Sequence, residues 1–275
     1  MTKDVLKMLT TKQQLLSISV PSIITMTDAV EHFTSFTEFV NMQEHLTLLT
    51  VQDPAQTTNS GFQRSDSIAV WSRKGKHTLS ANGYMDLVEI IKPDIYLALC
   101  DGDTDLKSTA KRAKKAVYRS RICLETCLDR HTASETLHST GILGAVEGGY
   151  NIDARQTSIE YLKDKPLLGF VIDGLHRSGP EVANISFKEI KQIVEHTINL
   201  LPKNKLRVSM GSWNPVIVLN LIELGVDVFD SSYAYLITEQ SRAFTFSCDH
   251  SSKQNNHLEP EISLNEKRYL NIKKK

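Results

Sequence analysis

From about residue 85 the sequence alternates between short apolar runs and longer amphipathic stretches, and few architectures accommodate that rhythm. The apolar runs are IYLALC (95–100), ILGAV (142–146), LLGFVI (167–172), LRVSM (206–210) and VDVF (226–229). Each is short and rich in Val, Ile or Leu, the pattern of a strand buried on both faces. The stretches 86–91, 105–128, 152–163, 187–201 and 215–224 carry apolar residues at helical spacing. Boundary signals mark several of them: Ser186 with Glu189 reads as a capping box, Asn214-Pro215 as an N-cap followed by proline at N1, and Gly225 as a C-terminal glycine. Strand alternating with helix implies parallel pairing through right-handed crossovers, hence a barrel or a doubly wound sheet. No GxGxxG follows the first of these strands and no Walker loop occurs, which disfavours the nucleotide-binding versions.

Composition narrows the classes further. Of 275 residues, 40% are hydrophobic, too many for a disordered chain. No run of about twenty apolar residues is present to span a bilayer as a helix. Lys plus Arg is 32 and Asp plus Glu is 32, so bulk charge does not hold nucleic acid. The first eighty residues are less regular. LTLLTV (46–51) and IAVW (68–71) read as strands, and residues 53–67 form a polar loop between them. The N-terminus enters a helical pattern almost at once and has neither a signal-peptide core nor transit-peptide character. Residues 1–250 are expected to form the folded domain, and the polar stretch 251–275 a disordered tail. Of the four cysteines only Cys123 and Cys127 are close, at i, i+4 in a helical stretch, which suits reduced thiols on one helix face.

The residues just past each apolar run carry the chemical information. IYLALC leads into Asp101-Gly102-Asp103, ILGAV into Glu147-Gly148-Gly149, LLGFVI into Asp173-Gly174, LRVSM into Gly211-Ser212, and VDVF into Asp230-Ser231-Ser232. Four of the five deliver a carboxylate where a parallel strand ends. In a (β/α)8 barrel those ends converge on the face that binds substrates. A single Asp-Gly after a strand is ordinary turn chemistry; the set points to converging carboxylates able to act as nucleophile, acid, base or hydrogen-bond acceptor.

These residues resemble a known family. GAVEGG (144–149), Asp153 with Arg155, GFVIDGL (169–175), Met210-Gly211 with Pro215, and GVDVFD (225–230) are similar to the middle of tRNA-guanine transglycosylases. FVNMQEHLTLLTVQDP (39–54), IAVWS (68–72), Asp101-Gly102-Asp103, Asp173-Gly174 and SSYAYLITEQSRAFTF (231–246) bring the match closer to the eukaryotic accessory branch than to the catalytic one. The resemblance runs in order over residues 15–250. It implies a TIM (β/α)8 barrel, incomplete in this chain and shortened at both ends relative to the family. It also implies an exchange in which an aspartate attacks the ribose anomeric carbon, guanine leaves the tRNA anticodon, and queuine displaces the covalent intermediate.

Carried over residue by residue, the match is partial. Asp230 falls on the family's nucleophile. The second aspartate, the acid/base of a DSGGF-type motif, has only Asn59-Ser60-Gly61-Phe62-Gln63 to answer to it, without the acid. The base-recognition aspartate falls at Cys100, with Asp101 one step on; a base-reading glutamine becomes Glu147; and the first glycine of a GGL motif becomes Asp173, followed by Gly174. Met210 is kept. Asp173 would intrude on the base pocket by size and charge, and a nucleophile without its partner should not sustain two-step exchange. The resemblance implies zinc (Zn2+) held by a CxCxxC and a distant histidine; those ligands are absent here, so no metal ligands are assigned in this chain.

The expectation is a non-catalytic subunit in a heterodimer with a catalytic queuine tRNA-ribosyltransferase subunit, serving queuosine formation at the wobble position. An active enzyme using Asp230 with Asp101, Glu147 or Asp173 is the alternative, and a generic barrel hydrolase is disfavoured by the lack of a GxSxG elbow and of metal-ligand spacing. Lys111, Arg112, Lys114, Lys115, Arg119 and Arg121, in KRAKKAVYRSR (111–121), read either as a phosphate-contacting face for tRNA or as a solvated helix face. The resemblance implies a cytoplasmic location, with peripheral attachment at the mitochondrial outer membrane.

Overall fold

A computed structural model describes residues 2–244 and 261–266. The chain opens with helix α1 (Lys3–Leu9), capped by Thr2, and a strand β1 (Leu15–Ser19) that the sequence pattern does not announce. Three single helical turns follow, α2 (Val20–Ile23), α3 (Thr27–Val30) and α4 (Phe36–Phe39), before strand β2 (Leu46–Thr50). Strands β3 (Ser67–Ser72) and β4 (Gly75–Ser80) form an antiparallel hairpin. From there the α/β alternation takes over: α5 (Ala81–Ile91), β5 (Ile95–Leu97), α6 (Ala110–Ala133), β6 (Gly141–Val146), α7 (Ile152–Leu162) and β7 (Gly169–Ile172). It continues through a 3-10 turn (Pro180–Asn184), α8 (Phe187–Leu200), β8 (Leu206–Ser209), α9 (Pro215–Leu224), β9 (Val228–Phe229) and α10 (Ser232–Glu239). Strand β10 (Arg242–Phe244) then pairs with β11 (Glu261–Ser263).

Seven strands form one parallel sheet in the order β1-β2-β5-β6-β7-β8-β9, curled and open between its two ends: an incomplete TIM barrel. The central strands are buried along nearly their whole length, as continuous apolar runs demand. One core joins Leu48, Leu49, Tyr96, Leu143 and Phe170 of the sheet to Tyr84, Val88, Cys127, Ile159 and Leu162 of α5, α6 and α7. A second joins Ile172 to Ile190, Val194, Trp213, Ile217 and Val226 around α8 and α9. Each such side chain contributes on the order of 1.5–3 kcal/mol when fully buried.

The capping box of α8 forms as read, with Ser186 and Glu189 each accepting from the other's end of the turn. Asn214 accepts from Ile217 N–H at 3.1 Å, and Gly225 ends α9 at φ 100. Helix α6 differs from the stretch expected at 105–128. Residues 105–108 form a turn closed by the Asp105 and Ser108 side chains, and Thr109 caps the helix by accepting from Arg112 N–H. The helix runs on to Ala133 because its last turns are held from outside: Arg130 pairs with Asp86 and Glu89 of α5, and His131 stacks on Tyr96. Strand β5 ends at Leu97 rather than Cys100: Ala98 N–H still donates to Leu143 O of β6 at 2.9 Å, and beyond it Asp101 N–H turns to Ser120 Oγ and Gly102 N–H to Glu147. Within the polar stretch 251–275, residues 261–263 form β11, where Arg242 pairs with Glu261 at 2.9 Å, and a turn follows at 264–265; residues 251–260 and 267–275 lie outside the described residues.

Candidate functional site

The carboxylates that end β5, β6, β7 and β9 divide into three environments. Asp101, 1% exposed, is neutralised by helix α6. Arg119 Nη1 donates to its Oδ2 at 3.0 Å, and Arg112 Nη2 donates to its Oδ1. Arg112 also reaches Asp103 at 3.4 Å, so two guanidiniums face two carboxylates in a closed set. The Asn59–Gln63 segment is pinned to this knot: Gly61 N–H donates to Asp103 at 2.8 Å, and Gln63 bridges Asp101 O and Ala69 N–H. Asn59 itself is exposed.

The second environment gathers Cys100, Glu147 and Asp173, whose ligand atoms lie within 4.8 Å of one another. Cys100 Sγ is 3.5 Å from Asp173 Oδ2, while Asp173 Oδ1 accepts from Gly174 N–H at 2.7 Å. Glu147 Oε1 accepts from Gly102 N–H at 2.8 Å and from Ser120 Oγ at 3.3 Å; its Oε2 is buried with no partner. Burial, then the neighbouring Asp173 and Asp101, holds the Glu147 carboxyl well above the usual carboxylate range. Burial also raises Asp173, and burial with both carboxylates raises the Cys100 thiol. Arg155, fully buried, stands beside the group but spends its donors on backbone: Val146 O, Gly149 O twice, and Asp173 O at 2.8 Å. Burial lowers its pKa to about 10, which still leaves it cationic at neutral pH. Gly174 sits at φ 76, and a Cβ there would meet Thr104 Oγ1 at 2.5 Å and Glu147 Oε2 at 2.9 Å. The cavity touching Cys100, Asp173, Met210 and His176 holds about 40 Å3. That admits a few waters and is far below the roughly 300 Å3 at which small-molecule pockets begin.

Asp230 occupies the third environment. Its Oδ2 accepts from Gly211 N–H at 2.5 Å and its Oδ1 from Ser232 N–H at 2.7 Å. Burial raises its pKa against those bonds. It lines an open cleft of about 650 Å3 with Ser17, Ser19, Asp53, Arg73 and Tyr235, between the ends of β1 and β9. None of Asp101, Glu147 and Asp173 lines that cleft. The carboxylate that does is Asp53, legible in the sequence only as part of a polar loop; its Oδ1 closes a turn on Ala55 N–H.

Helix α6 splits the basic segment. Lys111, Lys114, Lys115 and Arg121 are exposed. Arg112 is half-buried and Arg119 buried, both turned inward to Asp101, so these two belong neither to a phosphate-contacting face nor to a solvated one. The signal was present in the spacing: residues 112, 116, 119, 120, 123 and 127 share one helical stripe, the one that buries Cys123 and Cys127. Those cysteines are free thiols, with burial pushing them to about 11 and about 12; Cys248 lies outside the described residues.

The family model for queuine tRNA-ribosyltransferase matches residues 1–274. The chain belongs to this family. Among curated relatives it is 35% identical over 272 residues to the queuine tRNA-ribosyltransferase accessory subunit 2 of Aedes aegypti, covering 98% of this chain and 65% of that protein. The protein of the same name from Anopheles gambiae is 36% identical, with 88% and 57% covered, and the one from Ixodes scapularis 36%, with 90% and 64% covered. The chain thus spans about three fifths of the length of these relatives.

Set on the queuine tRNA-ribosyltransferase framework, Cys100, Glu147, Asp173, Gly174 and Met210 come together at one mouth of the sheet, while Asp230 faces a separate cleft. Sequence reasoning assigns no metal ligands in this chain, whereas the structure brings Cys100, Glu147 and Asp173 to within reach of one ion. It also misses Ser120, His176 and Arg155 as members of the site; Arg155 is visible only as part of a matching motif. Among the described residues no helix is long and apolar enough to cross a membrane.

Proposed function

We propose that this chain acts as a non-catalytic accessory subunit, joining a catalytic queuine tRNA-ribosyltransferase homologue in a heterodimer that exchanges guanine for queuine at the wobble position of tRNA. One observation carries the reading: the cavity against Cys100, Asp173 and Met210 holds only about 40 Å3, and Asp230 stands in a different cleft, each of its oxygens accepting from a backbone amide. The accessory-subunit name of the curated relatives supports it as well. A nucleophilic carboxylate needs a partner to move the proton of the arriving base, and Asp101, Glu147 and Asp173 all lie outside the cleft of Asp230. The role left to this chain is to dock its partner and to offer Lys111, Lys114, Lys115 and Arg121 to tRNA phosphates. The zinc of the family, with no CxCxxC here, enters no step. The location that goes with this reading is cytoplasmic, peripheral at the mitochondrial outer membrane.

The test is guanine exchange on tRNA by the purified chain alone, by the catalytic homologue alone, and by the two together. Exchange only when the homologue is present, and faster with both, is the expected result; robust exchange by the chain alone would overturn the reading. A second reading, exchange initiated by Asp230, draws on Asp53 sharing its cleft. It requires a covalent tRNA adduct that disappears in Asp230→Asn.

A further inference from the structure

We infer that Cys100, Glu147 and Asp173 form a three-ligand site for a borderline divalent transition-metal cation, zinc being the representative ion, completed by a water in the adjoining cavity. The inference is independent of the accessory-subunit reading and uses none of the cysteine-rich ligands of the family's zinc motif.

The first argument is spacing. Zinc takes thiolate sulfur at about 2.3 Å and carboxylate oxygen at about 2.1 Å, so a tetrahedral edge between the two is about 3.6 Å. Cys100 Sγ and Asp173 Oδ2 are 3.5 Å apart, and all three ligand atoms fall within 4.8 Å. The second is the orphan oxygen. Glu147 is fully buried; Oε1 is satisfied by Gly102 N–H and Ser120 Oγ, but Oε2 has no partner. A carboxylate oxygen left so is costly, and a cation coordinated there relieves it. The third is orientation: Gly102 N–H and Gly174 N–H each hold one carboxylate oxygen, leaving Glu147 Oε2 without a partner and Asp173 Oδ2 facing the Cys100 sulfur, as outer hydrogen bonds orient metal ligands. The fourth is room. The 40 Å3 cavity against Cys100 and Asp173 accommodates the water of an open fourth position.

Charge closes on the same ion. A thiolate and two carboxylates beside the buried Arg155 guanidinium carry a net charge of minus two, which a divalent cation cancels. Asp101 and Asp103 are already balanced by Arg112 and Arg119 and do not compete. A sulfur ligand in the set selects zinc or cobalt over magnesium or calcium, which want oxygen throughout.

The experiment is titration of the chelator-treated full chain with Co2+, read by the thiolate-to-cobalt charge-transfer band, with zinc as displacing ion. One equivalent per chain is expected, lost in Cys100→Ser, weakened at least tenfold in Glu147→Gln, and kept when Cys123, Cys127 and Cys248 are all serine. Circular dichroism checks that each variant is folded. Should Cys100→Ser misfold, the isosteric Glu147→Gln and Asp173→Asn decide instead. No band in the parent chain, or cobalt affinity unchanged in Glu147→Gln and Asp173→Asn, overturns the site.

Discussion

Arg119 donates to Asp101 at 3.0 Å from a helix face whose neighbouring residues 114, 115 and 118 point to solvent. Asp101 has no exposure of its own side chain and Arg119 only 11%. Removing one member of a buried ion pair leaves the other desolvated and uncompensated, at about 3–5 kcal/mol. Because Arg112 also holds Asp101, Arg119→Met should fall at the lower end, about 3 kcal/mol. Lys115→Met on the same helix should stay within about 0.5 kcal/mol. Urea denaturation of both variants checks the contrast, and equal losses would remove Arg119 from the buried set.

The same division of α6 sets an expectation for tRNA. Lys111, Lys114, Lys115 and Arg121 project outward, so replacing any one by glutamine should weaken binding by the assembled subunits. It should also flatten the dependence of log K on log salt by roughly 0.7–0.9 for each phosphate no longer neutralised. Binding isotherms across a salt series give that slope directly. A slope that survives replacement of all four would assign this face to solvent alone.

His176 predicts acid sensitivity. It stacks edge-on against Trp213 at 4.8 Å, accepts Ser178 N–H at Nδ1, and places Nε2 3.1 Å from Met210 O, a pattern that suits the neutral ring. Burial lowers its pKa to about 4, against an ordinary value of 6.5. Between those values the unfolded chain binds a proton that the folded chain refuses. Stability therefore falls as pH drops through the window, by as much as about 1.4 kcal/mol per pH unit. Above about 6.5 this residue adds no pH dependence. In His176→Gln the difference in urea midpoint between pH 7.5 and pH 5 should shrink, whatever the variant's stability at neutral pH.

Gly148 turns the chain from Glu147 into α7 at φ 120, where a Cβ would lie 2.5 Å from Arg155 N. Gly148→Ala combines left-handed strain with a backbone clash and should cost roughly 2–4 kcal/mol. Gly61, at φ 85 with open space around it, meets the strain alone, so Gly61→Ala should cost about 1 kcal/mol. Thermal melts of the two variants separate the clash from the strain.

Most of the sheet was legible because buried parallel strands are written as continuous apolar runs, and the caps at Ser186, Asn214 and Gly225 are local chemistry complete within a few residues. Strand β1 escaped because LLSIS lacks that density and sits at the open edge of the sheet, three of its five residues reaching solvent. The carboxylates after the strands were legible as a set. Their division was not: whether Asp101 is a catalytic group or a neutralised one depends on Arg112 and Arg119, eleven and eighteen residues away on a helix that must first dock.

The amino-acid order by itself thus determined the α/β alternation, the capped helix ends at Ser186, Asn214 and Gly225, the family and the residues at the strand ends, since each rests on local periodicity or motif. Only the tertiary structure decided which charges meet. Glu147 acquires its unpartnered oxygen, Asp173 its thiol neighbour and Asp230 its separate cleft through contacts between segments tens of residues apart. Electrostatics at such sites follows distance and burial, and neither is a property of neighbours along the chain.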